Sequence, residues 1–394
     1  MHRLLPKKAY PWSETQSRID PLPRRRGGPG TPRSLGPGYP WAVTVLTKRT
    51  YFPSGLGPLR LAPLPILLVL ALFAGTLYGS TTIPAQDTFH IILYKLGLYS
   101  GHHAWTASEE AIVWDLRLPR VIAAALVGGS LGVAGALFQA VLRNPLADPY
   151  VIGTSAGAQL GVTIALVFSL SYAAAGFGPI QLFAFAGALI TVLFVYGLAR
   201  TAGRTPIVTL LLAGFVVSSF LISGATFLMM ATGRTDQVMS WTMGSLDVSV
   251  LSQVAVTGPV ILICSGIAVL LWRQLDVMLL GEEAARHLGV RIEMLKLAAI
   301  MLGALLTSLA VTLAGIIPFV GLVVPHAVRL IYGPGHRTLI PAAFISGAIF
   351  VVLADLLARV VIAPTPVPLG IVTAVIGAPF FLHLLRRSRA EYGI

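Results

Sequence analysis

Residues Arg117–Gly157 read RLPRVIAAALVGGSLGVAGALFQAVLRNPLADPYVIGTSAG. Arg117 and Arg120 bracket Leu118 and Pro119, and no charge follows until Arg143. An uncharged run of roughly 20 residues is what an α-helix needs to cross a bilayer core. Arg143-Asn144-Pro145 interrupts it, and a second apolar run begins within a few residues. The stretch therefore predicts a membrane helix that opens on a charged face, ends in a tight polar turn and re-enters the lipid.

Composition extends that reading to most of the chain. Of 394 residues, 56% are hydrophobic and 11% charged, against about 25% charged in an ordinary soluble domain. So few charges cannot coat a water-facing surface. Cys264 is the single cysteine, which excludes an internal disulfide framework and a cysteine-based metal site. The net charge of +13 is uneven: residues 1–60 hold 11 Lys/Arg against Glu14 and Asp20, and the rest 17 against 13. The basicity belongs mainly to the leader, so it requires no nucleic-acid partner.

Residues 1–60, with PLPRRRGGPGTPRSLGPGYP, are rich in Pro, Gly and Arg. Such a segment buries too little apolar surface to offset its ordering entropy and is expected to be disordered. It lacks the apolar core of a signal peptide. A tail lying on anionic headgroups, an over-long reading frame and a partner-binding arm all remain open. Residues 61–394 form the second unit. Apolar runs are expected near 61–80, 118–142, 150–169, 178–199, 207–230, 253–272, 295–314, 316–332, 339–358 and 368–385. The fold class is thus all-α integral membrane with about ten transmembrane helices. The boundary at Gly315 and Pro318 is the weakest. Residues 81–116, of mixed polarity, predict an aqueous loop with a short helix.

Loop charge orients these spans. With the leader inside, twelve later Lys/Arg fall inside, among them Arg143, Arg286, Lys296 and Arg386. Lys95, Arg117, Arg120, Arg234 and Arg359 fall outside. Both termini are then cytoplasmic. Gly128, Gly129, Gly132, Gly135, Gly187, Gly214 and Gly224 predict close helix packing in lipid. The chain has no Gly-Lys dipeptide, hence no Walker A loop; any ATP used must be hydrolysed by another subunit.

Several polar residues remain. Arg117, Arg120 and Arg359 on the outer face either anchor to headgroups or capture carboxylates with their guanidinium forks. LGEEAARHLGV, Leu280–Val290, predicts a short helix bracketed by Gly281 and Gly289, with acids first and bases last as the helix dipole favours. It reads as a rigid cytoplasmic lever or a plain surface helix. Asn144, Pro145 and Leu146 form either a gate lining a pathway or a tight turn. Asp355, inside a span, pairs one helical turn away with Arg359 rather than relaying protons. His326 reads as a packed helix-end residue, and His102-His103 as a weak signal for iron or haem contact. No zinc site, nucleophile–base pair or paired carboxylates appear, so neither catalysis nor a metal or other cofactor is expected.

RLPR, GALFQAVLRNPLADPYVIGTSAGA, GEEAARHLGV, GIIPFVGLVVPHAVRL, LADLLAR and PLGIVTAVIGAPFFLHLL occur in that order. The chain between about 61 and 390 resembles the permease subunits of ABC importers for ferric siderophores, haem and vitamin B12, the FecCD-type or type II importer family. The resemblance implies a two-fold homodimer of ten-helix subunits around a central translocation path in a bacterial or archaeal plasma membrane. It implies two cytoplasmic ATPase subunits as partners and an extracytoplasmic substrate-binding protein. Arg117 and Arg359 match arginines that receive that protein's glutamates, with Arg120 as a neighbour. Gly281, Glu282, Glu283, Ala284, Ala285, Arg286, Leu288 and Gly289 lie in the matching ATPase-coupling loop, and Asn144 and Leu146 match a cytoplasmic gate. A second family gate maps to Pro206–Ile207, where the side chains are atypical. Val367 stands where many members carry an acid. The function so implied is import of iron–siderophore complexes, with vitamin B12 or haem as the alternative. An ion-coupled secondary transporter would need carboxylates on several spans, where Asp355 is nearly alone; a scaffold without transport would not need the lever.

Overall fold

Backbone polar groups in lipid have no water to bond, so a chain this apolar satisfies them within helices. The computed structural model describes residues 61–392 apart from 80, 102–104, 171–175, 247–250 and 363–364, and among these it is helical with no named strand. The leader 1–60 and His102-His103 lie outside the described residues.

In chain order the helices are α1 (Pro63–Leu77), α2 (Ala85–Lys95), α3 (Ala107–Ala111), α4 (Leu118–Val141), α5 (Thr154–Val167), α6 (Pro179–Ala199) and α7 (Ile207–Thr232). There follow α8 (Thr235–Thr242), α9 (Leu251–Leu270), α10 (Trp272–Met278), α11 (Glu282–His287), α12 (Ile292–Ala314), α13 (Val320–Tyr332), α14 (His336–Val360) and α15 (Leu369–Tyr392). All ten expected apolar runs fall on helices. Among the described residues six helical stretches are long and apolar enough to cross a membrane: 107–141, 179–199, 207–232, 251–270, 292–314 and 336–360. Four more apolar helices, α1, α5, α13 and the 369–383 part of α15, are shorter.

Residue chemistry sets the ends. Pro63 and Pro179 sit at first helical positions, where a missing N–H costs nothing. Gly233 (φ 67°) and Gly315 (φ 67°) end α7 and α12 in backbone that side chains avoid. Gly315 is thus the real break between α12 and α13. Segment 81–116 is more than an aqueous loop with one helix. α2 and α3 enclose a small core of Ile83, Ile91, Trp105 and Val113, and a π-helical turn, Ile112–Arg117, joins α3 to α4. Thr106 and Glu109 form a reciprocal capping box at the start of α3.

α4 is the centre of the bundle. Its most apolar window is 89% buried, and α14, α12, α13 and α9 surround it. Small residues permit this. A Cβ on Gly128 would collide with the carbonyl oxygen of Gly347 on α14, and one on Gly135 with that of Gly321 on α13. Not every span glycine works this way: Gly224, expected to pack closely, has open space around it. Gln139 ties α4 to α13 by donating to the carbonyl of Leu322 at 3.1 Å. α5 packs between α6 and α7, and only 17% of the corresponding window of α7 is buried.

Candidate functional sites at the two ends of the bundle

At about 1.5 Å per residue, a helix of α4's length holds its ends roughly 36 Å apart. Arg117 and Arg120 mark its first end and Arg143-Asn144 its last. α14 runs the other way, from His336 beside the second end to Asp355 and Arg359 beside the first. Two polar clusters therefore sit at opposite ends of one apolar body.

At the first end, Asp355 is fully buried. Its Oδ1 accepts from Nε and Nη2 of Arg120, each at 2.9 Å, and its Oδ2 accepts from Nε of Arg359 at 3.0 Å. The pairing of Asp355 with Arg359 is as the one-turn spacing predicted; its second partner, Arg120, comes from α4. Arg117 and Arg359, 5% and 8% exposed, turn the rest of their guanidiniums to backbone. Arg117 donates to the carbonyls of Leu77 (2.9 Å), Thr76 (3.3 Å) and Thr81. Arg359 donates to those of Gly75 (2.8 Å) and Tyr78 (3.0 Å). Those of Gly75, Thr76 and Leu77 are terminal carbonyls of α1, which no intrahelical donor can reach, at the end where a cation is favoured; those of Tyr78 and Thr81 belong to the cap and the segment after it. Arg120 is the arginine that reaches open space: it lines a recess of about 470 Å³ with Gln237, Trp241, Ser245 and Val367. α8, which supplies Gln237 and Trp241, was not anticipated. The Pro368-Leu369-Gly370 start of α15 is fastened to its end, with N–H groups of Leu369 and Gly370 donating to Gly244 and Met243. In the segment before α4, Thr106 donates to the carboxylate of Glu109, and Glu110, 2.5 Å from the ammonium of Lys95, raises the pKa of that lysine.

At the other end, Arg143 takes a left-handed conformation (φ 51°). The Asn144 side chain then folds over the turn, its Oδ1 accepting the N–H of Leu146 at 2.9 Å. Asn144 is exposed, Pro145 and Leu146 half-buried. The lever segment is the helix that its glycines predicted. Gly281 (φ 109°) and Gly289 (φ 83°) bracket α11. Ala285 is its buried anchor, while Glu283, Ala284, Arg286, Leu288 and Gly289 are exposed. Turn and lever are neighbours: a Cβ at Gly281 would stand 3.9 Å from a guanidinium nitrogen of Arg143.

Two features at this end escaped the sequence reading. Lys296, counted there among loop charges, is 3% exposed within α12. Its ammonium lies 3.0 Å from Glu282 and 3.6 Å from Glu293. The Glu293–Lys296 spacing of three on a helix was the available signal. Asp276 of α10 accepts the backbone N–H of His336 at 2.7 Å, capping α14 from 60 residues away. No local pattern announces that contact. His326 is half-buried on α13, consistent with a packed histidine.

The comparisons agree on one family. The model of the FecCD transport family matches residues 67–387. A cobalamin import system permease protein of Halobacterium salinarum is 39% identical, over 83% of this chain and 90% of its own. An iron(3+)-hydroxamate import system permease protein of Bacillus subtilis is 35% identical over 82% of each chain. An inward-facing structure of a metal-chelate type ABC transporter superposes with a TM-score of 0.70 at 26% identity, covering 84% of this chain and 99% of that one.

Proposed function

Because the chain belongs to the FecCD transport family, we propose that it is the gated, membrane-spanning permease of an ATP-driven importer that carries iron–siderophore complexes. It acts as a two-fold homodimer of ten-span subunits, with both termini in the cytoplasm and the Arg117 end outside. A soluble binding protein delivers the ligand at Arg120, backed by Arg117 and Arg359. Two ATPase subunits press on α11 at the cytoplasmic end, and the Asn144–Leu146 turn gates the exit. ATP is hydrolysed by those partners.

The observation that carries this reading is the placement of a glycine-bracketed, charged helix at the end of α4 opposite the arginine cluster. Force applied at one end and cargo received at the other is the arrangement an importer requires. Charge supports the docking sites: Arg120 and Arg359 hold one carboxylate, Arg117 adds a third positive charge at the same end, and the excess of positive charge is complementary to acidic groups on a partner. The iron–siderophore assignment is supported by the iron(3+)-hydroxamate relative. Cobalamin is the second reading, favoured by the Halobacterium relative.

The test is uptake by proteoliposomes holding the permease with its ATPase, with loaded binding protein outside. ATP-dependent accumulation of labelled ferric siderophore, above that of haem and cobalamin, is expected. Accumulation of cobalamin alone selects the second reading, and ATP-independent, ion-driven uptake of the chelate overturns the importer.

A further inference from the structure

We infer that Lys296 is the positioning residue through which movement of α11 is passed to the start of α7. The inference rests on the reading of α11 as the ATPase-facing lever.

An ammonium shielded inside an apolar bundle persists only where oxygens surround it. Lys296 finds three, each from a different segment. Glu282, at the first position of α11, lies 3.0 Å away. Glu293, on Lys296's own helix, lies 3.6 Å away. The backbone carbonyl of Thr205 accepts at 3.4 Å. Thr205 is held a second time, its N–H donating to Glu293 at 2.9 Å, and it is 2% exposed. The residue after it is Pro206, the N-cap of α7. Four groups, Glu282, Lys296, Glu293 and Thr205, thus join the lever to the first turn of α7.

Both neighbouring pieces are suited to transmit a push. Behind Thr205, a tight turn through Ala202 (φ 49°) and Gly203 (φ 76°) is closed by reciprocal hydrogen bonds between Thr201 and Arg204 of 2.9 and 3.0 Å. That turn is braced, so displacement of Thr205 is carried into α7 rather than taken up by slack. Ahead of it, α7 is the long helix least held by its own subunit, with 17% of its apolar window buried against 89% for 107–141. Glu282 and Glu293 keep 29% and 30% of their side chains exposed. A partner that draws Glu282 away therefore leaves the Lys296 charge to Glu293 and Thr205 alone. The structure holds Glu282 engaged; its release by a partner on α11 would supply the second arrangement that an energetic link between sites requires.

The test uses the full complex of permease, ATPase and binding protein in proteoliposomes. Lys296→Met removes the charge and keeps the stem; Lys296→Arg restores the charge. In the wild type with Cys264→Ser, spin labels at Val208→Cys of the two subunits report α7 movement between nucleotide-free and ATP-trapped states. The expected result for Lys296→Met is retained ATPase binding and hydrolysis, loss of the ATP-dependent distance change, and cargo moved per ATP lower by about tenfold. Lys296→Arg recovers most of both. Should Lys296→Met not fold, Glu293→Gln, which loosens the same link at Lys296 and Thr205 from outside the lever, carries the same expectations with a smaller loss. An unchanged distance shift with unchanged cargo per ATP in either variant overturns the relay. Failure of the importer reading looks different, because the wild-type complex itself then shows no ATPase binding at α11.

Discussion

Nη2 of Arg359 donates to the carbonyl oxygen of Gly75 at 2.8 Å, so an arginine near the end of α14 closes the end of α1. With Arg117 doing the same for Leu77, the first helix is fastened by two side chains remote in sequence. Arg359→Ala strips α1 of two donors and leaves Asp355 with Arg120 alone. We expect it to destabilise the detergent-solubilised permease by about 3 kcal/mol, read as a lowered midpoint of chemical denaturation. A midpoint equal to wild type refutes the clamp.

Docking and clamping are separable at Arg120, which lines the open recess. Arg120→Gln keeps a donor near Asp355 and removes the charge. In nanodiscs the variant is expected to bind loaded binding protein about tenfold more weakly, mainly through slower association at low salt. Equal affinity at low and high salt removes Arg120 from the docking surface.

Helix packing gives a paired prediction. Gly128→Leu places a side chain where the Gly347 carbonyl stands and is expected to cost about 1–3 kcal/mol. Gly224→Ala meets nothing, and by helix propensity it should be neutral or slightly stabilising, by up to about 1 kcal/mol. Thermal midpoints of both variants decide; equal losses refute the distinction.

That contrast marks what the sequence could convey. The ten apolar runs are legible because length and hydropathy are local properties. α11 is legible because Gly281 and Gly289 bracket a charge pattern matching the helix dipole. The Asp355–Arg359 pair follows from a spacing of four on one helix. What was missed depends on distant segments meeting. Lys296 counts as a solvated loop charge until α12 is seen to begin at Ile292 and Glu282 and Thr205 close around it. Arg117 and Arg359 look like outward-reaching forks until the open carbonyls of α1 turn them inward. Gly128 and Gly224 look alike in sequence, and only the neighbouring helix tells them apart.

The end of α11 offers another test of the proposed lever. Gly289 holds φ 83°, and its N–H donates to Arg286 at 3.0 Å. Proline fixes φ near −65° and has no N–H, so Gly289→Pro should unravel the last turn of α11 while leaving the bundle folded. ATP hydrolysis by the assembled complex is then expected to continue while uptake falls by about tenfold or more. Uptake at the wild-type rate, measured in proteoliposomes, removes α11 as the lever.

On the proposed reading the turn at Asn144 carries the gate, and its chemistry makes that reading testable by leakage. Arg143 is held at φ 51°, a strained conformation for a residue with a side chain. The Oδ1 of Asn144 supports it by taking the N–H of Leu146, and the carbonyl of Asn144 takes that of Ala147 at 3.1 Å. Asn144→Ala removes the first contact and keeps the second, costing about 1 kcal/mol by analogy with lost side-chain caps. The bundle should survive that loss, but the turn should sample open conformations more often. The expected readout is nucleotide-independent escape of a chelate-sized fluorescent probe from proteoliposomes, raised about fivefold by that energy. Asn144→Asp keeps an oxygen acceptor at the same place and should leak as little as wild type. Equal leakage from all three proteins would make the segment a plain turn and move the gate elsewhere in the path.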